Sequence, residues 1–150
     1  GLYSRSYLQN QMAVALGGRV AEEIVYGEDE VTTGASNDLQ QVARVARQMV
    51  TRFGMSDRLG PVALGRSQGG MFLGRDMAAE RDFSEDTAAA IDEEVSLLVA
   101  EAYKRATEVL KTNRSVLDEL ADMLVEKETV DAQDLQELLI RRDVRVAEYV

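Results

Sequence analysis

Apolar residues that return every four positions dominate this chain, and they limit its fold to packed α-helices. The first run extends from Ser4 to Tyr26, and its apolar stripe consists of Leu8, Met12, Leu16, Val20 and Ile24. Because an α-helix has about 3.6 residues per turn, these side chains line one face. Gly27 follows the run, and glycine is common just past a helix end. We therefore predict a first helix that ends at Gly27.

The same spacing predicts two more helices in the middle of the chain. One begins near Ser36 and ends at Gly54, and its apolar stripe consists of Leu39, Val42, Ala43, Ala46, Met49, Val50 and Phe53. The other begins after Ser84, a residue type that caps helix N-termini, and continues to about Thr112. It is the longest element that the sequence predicts.

Two short helices are predicted near the C-terminus from pairs of capping residues. Ser115 with Asp118, and Asp131 with Asp134, have the spacing of a capping box. In a capping box each side chain bonds the backbone N–H of the other residue, which satisfies two donors at the helix start.

A glycine-rich segment separates the first two helices from the rest. Between Gly54 and Gly74 it contains the only proline, Pro61, and two short apolar pieces at residues 62–64 and 71–73. Such pieces between glycines are typical of short strands. The glycines form neither G-x-G-x-x-G nor a P-loop, so we predict no cofactor-binding residues. The predicted fold is mostly α: a helical bundle with a small two-stranded β element in the glycine-rich segment.

Two features of the first helix need an explanation from packing. Gly17 and Gly18 lie inside it, where each costs roughly 1 kcal/mol relative to alanine. Either another segment packs close against the helix backbone there, or the helix has a mild kink. Arg19 and Glu23 lie four residues apart near the apolar stripe, and we predict that they form an ion pair.

Composition excludes several kinds of chemistry. The 150 residues contain no His and no Cys, so carboxylates are the remaining candidates for metal ligands. The formal net charge is −10, and residues 76–150 carry 20 acidic against 9 basic side chains. Because this half of the chain would repel phosphate groups, we predict no nucleic-acid partner.

Asp38 is the carboxylate with the most unusual surroundings. It follows Thr32-Thr33-Gly34-Ala35-Ser36-Asn37, a run of small residues that leaves room for a ligand near a helix N-terminus. Spacing alone favours a simpler interpretation, in which Asp38 complements the helix dipole for about 0.3 to 1 kcal/mol.

Three segments together resemble the peptidase domain of the FtsH family, which consists of membrane-anchored AAA+ zinc metalloproteases. They are Leu16-Gly17-Gly18-Arg19-Val20-Ala21-Glu22-Glu23-Ile24-Val25-Tyr26-Gly27, then Thr32-Thr33-Gly34-Ala35-Ser36-Asn37-Asp38-Leu39, and the stretch from Met49 through Gly54-Met55-Ser56 to Leu59-Gly60-Pro61. Shorter matches at residues 72–75, 91–95 and 141–145 extend the resemblance over essentially the whole chain.

The resemblance implies that Asp38 is a metal ligand. In the family an H-E-x-x-H helix supplies two imidazoles and a general-base glutamate, and an aspartate in the T-T-G-A-x-x-D run is the third protein ligand of zinc. Asp38 matches that aspartate. The histidines and the base have no counterpart here, so we expect no catalytic residue in this chain. Glu22 and Glu23 rank behind Asp38 as outer-shell or alternative metal carboxylates.

On this resemblance we expect residues 1–150 to be a partial peptidase domain that begins just downstream of H-E-x-x-H. Its parts are metal-site helices at 1–53, a glycine-rich connector at 54–83, a C-terminal helical bundle at 84–140 and a tail at 141–150. The parent would be an ATP-dependent zinc endopeptidase that degrades unfolded or membrane proteins, and this part alone would be inactive. The competing interpretation is a non-catalytic helical assembly module of a pseudoprotease or scaffold.

The resemblance also implies cofactors, partners and a location. Zinc would belong to the parent protein, and ATP would bind a domain absent from this chain. Expected partners are protein substrates and a homo- or hetero-oligomeric ring of related subunits. The parent would be membrane-associated through segments absent here, with this domain on the cytoplasmic side or its equivalent in the stroma or matrix.

We also expect the fragment to associate with itself. A partial domain would have lost the segment that covers its first helix. Leu8, Met12 and Leu16 would then be exposed, and an exposed apolar patch of more than a few hundred Å² favours association.

Overall fold

The computed structural model describes residues 2–64 and 84–145, and these residues are mostly helical. The elements in chain order are α1 (Arg5–Tyr26), two 3₁₀ turns (Glu28–Glu30 and Thr33–Ala35), α2 (Ser36–Thr51), α3 (Glu85–Thr112), α4 (Arg114–Lys127) and α5 (Ala132–Arg141). Each helix that the apolar spacing or the capping pairs predict is therefore present. The mostly α fold class is confirmed.

The predicted β element is not seen in the described part of the chain. Residues 62–64 are irregular there, and the described residues contain no strand. The second predicted strand, residues 71–73, lies outside the described residues. The small β element therefore stays a prediction.

Polar side chains cap three of the helices, and the caps at Ser84 and at Asp131 are the predicted ones. The hydroxyl of Ser4 accepts a hydrogen bond from the backbone N–H of Tyr7 at 3.1 Å, and that of Ser84 accepts one from Thr87 at 3.2 Å. At α5 the predicted capping box is complete, since Asp131 Oδ1 accepts from the N–H of Asp134 at 2.8 Å and Asp134 Oδ2 accepts from that of Asp131 at 3.4 Å.

The other predicted capping box, Ser115 with Asp118, is wrong. Helix α4 begins earlier, at Arg114, and Asn113 precedes it without a side-chain cap bond. The amide of Asn113 instead donates to the carbonyl of Val109 at the end of α3, at 2.8 Å. Asp118 pairs with Arg114 Nε at 3.1 Å, one turn away on the helix surface.

The chain divides into two compact units, Gly1–Val45 with Leu98–Val150, and Ala46–Leu97. In the first unit α1 packs against α4 and α5, and Arg105 Nη1 of α3 donates to Asn10 Oδ1 of α1 at 2.9 Å. The buried apolar side chains of these helices form its core. They are Met12, Ala13, Val14, Ala15, Leu16, Val20, Ala21, Val42, Leu98, Ala102, Ala106, Val109, Leu110, Val116, Leu120, Leu124, Val130, Leu135, Leu138 and Leu139.

The second unit, Ala46–Leu97, joins the end of α2 to the start of α3. Arg47 Nη2 lies 3.1 Å from Asp92 Oδ1, and Arg58 pairs with the neighbouring Glu93. The predicted stripe of α2 is only partly buried: Ala46, Met49 and Val50 are in the core, whereas Phe53 follows the helix end at Thr51 and is exposed. Ala43, in the first unit, is also exposed.

The predicted exposure of the α1 stripe is wrong. Met12 and Leu16 are only 1% and 2% exposed, and Leu8 is partly buried. The physical reason is that α4 and α5, which follow about a hundred residues later, pack against α1 and cover this face. Self-association therefore has no basis in an open α1 stripe.

Close packing explains the two glycines inside α1. A Cβ atom at Gly17 would overlap Leu135 Cδ2 of α5, and one at Gly18 would overlap the carbonyl oxygen of Val130. The predicted close approach of another segment is thus confirmed. None of the helices in the described ranges combines the length and apolar character needed to cross a lipid bilayer.

Candidate functional site

Asp38 lies in the first turn of α2, directly after the second 3₁₀ turn. Its side chain is partly buried and lines a cleft of about 140 Å³. The cleft combines one carboxylate and two amide side chains with small and apolar groups, and all of its residues belong to the first unit. They are Gln11, Met12, Ala15, Asp38, Gln41, Val42, Val45 and Ala132.

The surroundings of Asp38 raise the pKa of its carboxyl above the ordinary value. Partial burial is the largest cause, and the negative charge of Asp131 acts in the same direction. The backbone N–H of Ala132, at the start of α5, opposes the shift by interacting with the carboxylate. The carboxylate of Asp38 therefore interacts with the N-terminus of α5 as well as with that of its own helix, α2.

Glu22 is buried in α1 and is tied to the segment that leads to Asp38. It is 3% exposed, and its Oε1 accepts a hydrogen bond from the hydroxyl of Thr32 at 2.9 Å. The hydroxyl oxygen of Thr32 in turn accepts from the N–H of Gly34 at 3.2 Å and caps the second 3₁₀ turn. The other carboxylate oxygen, Oε2, has no hydrogen-bond partner among the described residues.

Glu23 has a different role from Glu22. Its Oε1 lies 3.4 Å from Nε of Arg19, so the predicted ion pair is present. Neither glutamate is among the residues that line the cleft of Asp38. The structure therefore does not bring the three candidate carboxylates together in one pocket.

The cleft offers one side chain that can bind zinc, which is fewer than a complete zinc site needs. A carboxylate oxygen is a donor that zinc accepts, and Asp38 is partly accessible in the cleft. A catalytic zinc site needs about three protein ligands, however. In residues 2–64 and 84–145, no three Asp, Glu, His or Cys side chains are grouped closely enough to hold a metal ion.

Sequence reasoning missed the residues that surround Asp38 in space. Thr32 was part of the recognised segment at residues 32–39, and this membership was the available signal. Gln11, Gln41 and Ala132 carry no such signal, because an amide or an alanine on a helix surface is ordinary. They reach the cleft only because α1, α2 and α5 pack together.

The sequence matches the model of a peptidase family. The family is described as "Peptidase family M41", and the match covers residues 1–138. Since this is most of the chain, the chain belongs to peptidase family M41.

Named relatives agree with this membership. The chain is 76% identical over 147 residues to "ATP-dependent zinc metalloprotease FtsH 3" of Synechocystis sp., a match that covers 98% of this chain and 24% of the relative. It is 65% identical over 144 residues to "ATP-dependent zinc metalloprotease FtsH" of Synechococcus sp. (96% and 23%), and 57% identical over 140 residues to "ATP-dependent zinc metalloprotease FTSH 1, chloroplastic" of Arabidopsis thaliana (93% and 20%). The chain thus spans about a quarter or less of the length of these relatives.

Proposed function

We propose that this chain is the C-terminal part of the peptidase domain of an ATP-dependent zinc metalloendopeptidase that degrades unfolded or membrane proteins. The observation that carries the proposal is the 76% identity to a zinc metalloprotease over nearly the whole chain, with Asp38 of the matching T-T-G-A-x-x-D run in an accessible cleft. Asp38 is then one zinc ligand. Glu22 and Glu23 are weaker candidates than Asp38 for a role at the metal, as outer-shell or alternative carboxylates. The two histidine ligands of zinc would come from a part of the parent outside this chain, and ATP would bind another domain of the parent.

The partners and location follow from the same proposal. Protein chains are the substrates, and related subunits form a homo- or hetero-oligomeric ring. The parent is membrane-associated through segments other than these residues. This domain then lies on the cytoplasmic side or its organellar equivalent, such as the stroma or matrix. The regions 1–53, 54–83, 84–140 and 141–150 keep the roles of metal-site helices, connector, helical bundle and tail.

A substitution at Asp38 tests the zinc role. In the full-length protein, Asp38→Asn is expected to lower proteolysis of an unfolded substrate by at least the roughly 10- to 100-fold that loss of an outer-shell partner costs, because an amide is a weaker zinc ligand than a carboxylate. ATP hydrolysis is expected to stay unchanged, because it belongs to a separate domain. Asp122→Asn, the same change at an exposed aspartate of α4 that does not line the cleft, is the control and should keep full activity. Full proteolysis by Asp38→Asn would return Asp38 to a helix-dipole role.

The isolated 150-residue chain is expected to be inactive. It contains no His, so it lacks the donors that would complete a zinc site with Asp38. Incubation with casein, Zn²⁺ and ATP should give no cleavage above background. Chelator-sensitive cleavage by the purified chain would contradict this expectation.

The alternative proposal is a non-catalytic helical assembly module, in which the same fold only packs into a ring. The reading frame upstream of Gly1 separates the two proposals. If it encodes no H-E-x-x-H, the enzyme proposal fails and the assembly module is left.

A further inference from the structure

The turn between α4 and α5, residues 128–131, contacts two glycines that are far away in the sequence. A Cβ atom at Gly18 of α1 would overlap the carbonyl oxygen of Val130. One at Gly34, in the second 3₁₀ turn, would overlap Cγ2 of Thr129 and lie 3.1 Å from its Cβ. Both glycines are thus needed for the turn to approach as closely as it does.

This turn is firmly placed with respect to α1 and α5. Val130 is 3% exposed, so its side chain belongs to the core of the first unit. Asp131 completes the capping box of α5 with Asp134. Ala132, the next residue, lines the same cleft as Asp38. Thr129 therefore projects from a fixed turn onto the segment that leads to Asp38.

The segment that leads to Asp38 is also anchored to α1. Thr32 is held by the buried carboxylate of Glu22 on one side, through the bond of 2.9 Å. Gly34 is the next point of contact and lies four residues before Asp38. The second 3₁₀ turn continues directly into α2 at Ser36, so a displacement at Gly34 is passed to the first turn of α2.

We propose that the α4–α5 turn is a positioning element of the candidate site and that Thr129 is a positioning residue for Asp38, acting through its methyl contact with Gly34. The C-terminal helices are then part of the site as well as of the bundle. The contact itself stands without any metal, whereas its effect on zinc rests on the proposed function.

The variants follow from the geometry of the contact. Gly34 does not have a positive φ, so its backbone accepts alanine and the added methyl meets Thr129. Thr129→Ser removes the Cγ2 atom and makes room, so the double variant Gly34→Ala with Thr129→Ser should relieve the overlap. Thr129→Val keeps the methyl group and is the matched control.

Two measurements are made on each variant. In the 150-residue chain without metal, ¹H–¹⁵N spectra and amide exchange report the position and protection of the Asp38 amide. In the full-length protein, the chelator concentration that removes zinc measures how tightly the site with Asp38 holds the metal. Gly34→Ala is expected to shift the Asp38 signal and to weaken zinc retention about tenfold, the low end for lost outer partners of a metal ligand. The double variant should recover to within about threefold, and Thr129→Val should match the wild type.

The outcomes separate this inference from the proposed function. Unchanged Asp38 signals and zinc retention in Gly34→Ala would overturn the inference, as would a double variant as impaired as Gly34→Ala. Asp38→Ala tests the proposed function separately. If this variant retains zinc like the wild type, the proposed zinc role of Asp38 fails, whereas the spectra of the 150-residue chain still show whether Thr129 positions Asp38. If Gly34→Ala unfolds the chain, Thr129→Ala is compared with Thr129→Val, and equal protection of the Asp38 amide in those two overturns the inference.

Discussion

At the scale of single residues, the two adjacent glycines of α1 differ in what they face. The space beside Gly17 is filled by the end of a leucine side chain, Leu135, which can change its rotamer. The space beside Gly18 is filled by a backbone carbonyl, that of Val130, in a turn fixed by the core. Identical residues at neighbouring positions are therefore under different constraints.

Substituting each glycine by alanine tests this difference. Gly18→Ala is expected to destabilise the chain by about 1–3 kcal/mol, the usual cost of overpacking, because the Val130 carbonyl can move only with the turn. Gly17→Ala should be close to neutral, because the gain in helix propensity of about 1 kcal/mol offsets the rotation of Leu135. Urea denaturation followed by circular dichroism gives both values. Equal losses in the two variants would contradict the assignment.

At the scale of elements, the end of α5 is fastened to α4 by one carboxylate. Glu119 accepts hydrogen bonds from Arg141 Nη1 at 2.9 Å, and from Arg142 Nε and Nη2 at 3.1 and 2.9 Å. These bonds from Arg141 and Arg142 lower the pKa of Glu119 below its ordinary value. The first residues of the predicted tail are thus held to the bundle.

The lowered pKa gives this contact a defined pH dependence. A carboxyl whose pKa is lower in the folded state contributes stability above its unfolded pKa, and this contribution is lost as the pH falls through the folded value. Glu119→Gln should therefore lower the melting temperature at pH 7, and its difference from the wild type should shrink below pH 4.5, the ordinary value of the group. Glu126→Gln, an exposed change on the same helix, is the control. A difference that stays constant from pH 7 to pH 3 would exclude the ionic contact.

At the scale of the whole chain, α4 and α5 bury the apolar face of α1 that was expected to be exposed. Met12 is buried in the first unit, whereas Tyr7 and Tyr26, near the two ends of α1, are exposed, and the ring of Tyr7 stacks on that of Tyr3 at 4.9 Å. A charge at Met12 would consequently act on folding rather than on association.

Met12→Glu is therefore expected to destabilise the chain by about 3 kcal/mol or more, because it buries an unpaired charge. Tyr7→Glu, which changes a partly exposed residue of the same helix, should cost no more than about 1.5 kcal/mol, the upper value for loss of its stacking on Tyr3. Urea denaturation measures the stability, and sedimentation velocity shows whether the assembly state changes. A stable Met12→Glu chain with a lower sedimentation coefficient than the wild type would restore the open-stripe interpretation.

The sequence by itself determined the helices and much of their ends. Apolar spacing located the three longer helices of the described residues, because burying one face is what stabilises a helix in a protein, and pairs of capping residues pointed to the two shorter ones. Ser84 and the pair Asp131 and Asp134 were predicted as caps, because a cap depends on residues within one turn. Asp38 was found from the sequence as well, because both the small residues before it and the family motif lie within a few neighbouring positions.

The tertiary structure decided what depends on residues far apart in the chain. Whether Met12 is exposed depends on α4 and α5, and which group fills the space beside Gly34 depends on Thr129. Spacing along a chain reports which side chains share a face, whereas the partner of that face is fixed only when the helices pack.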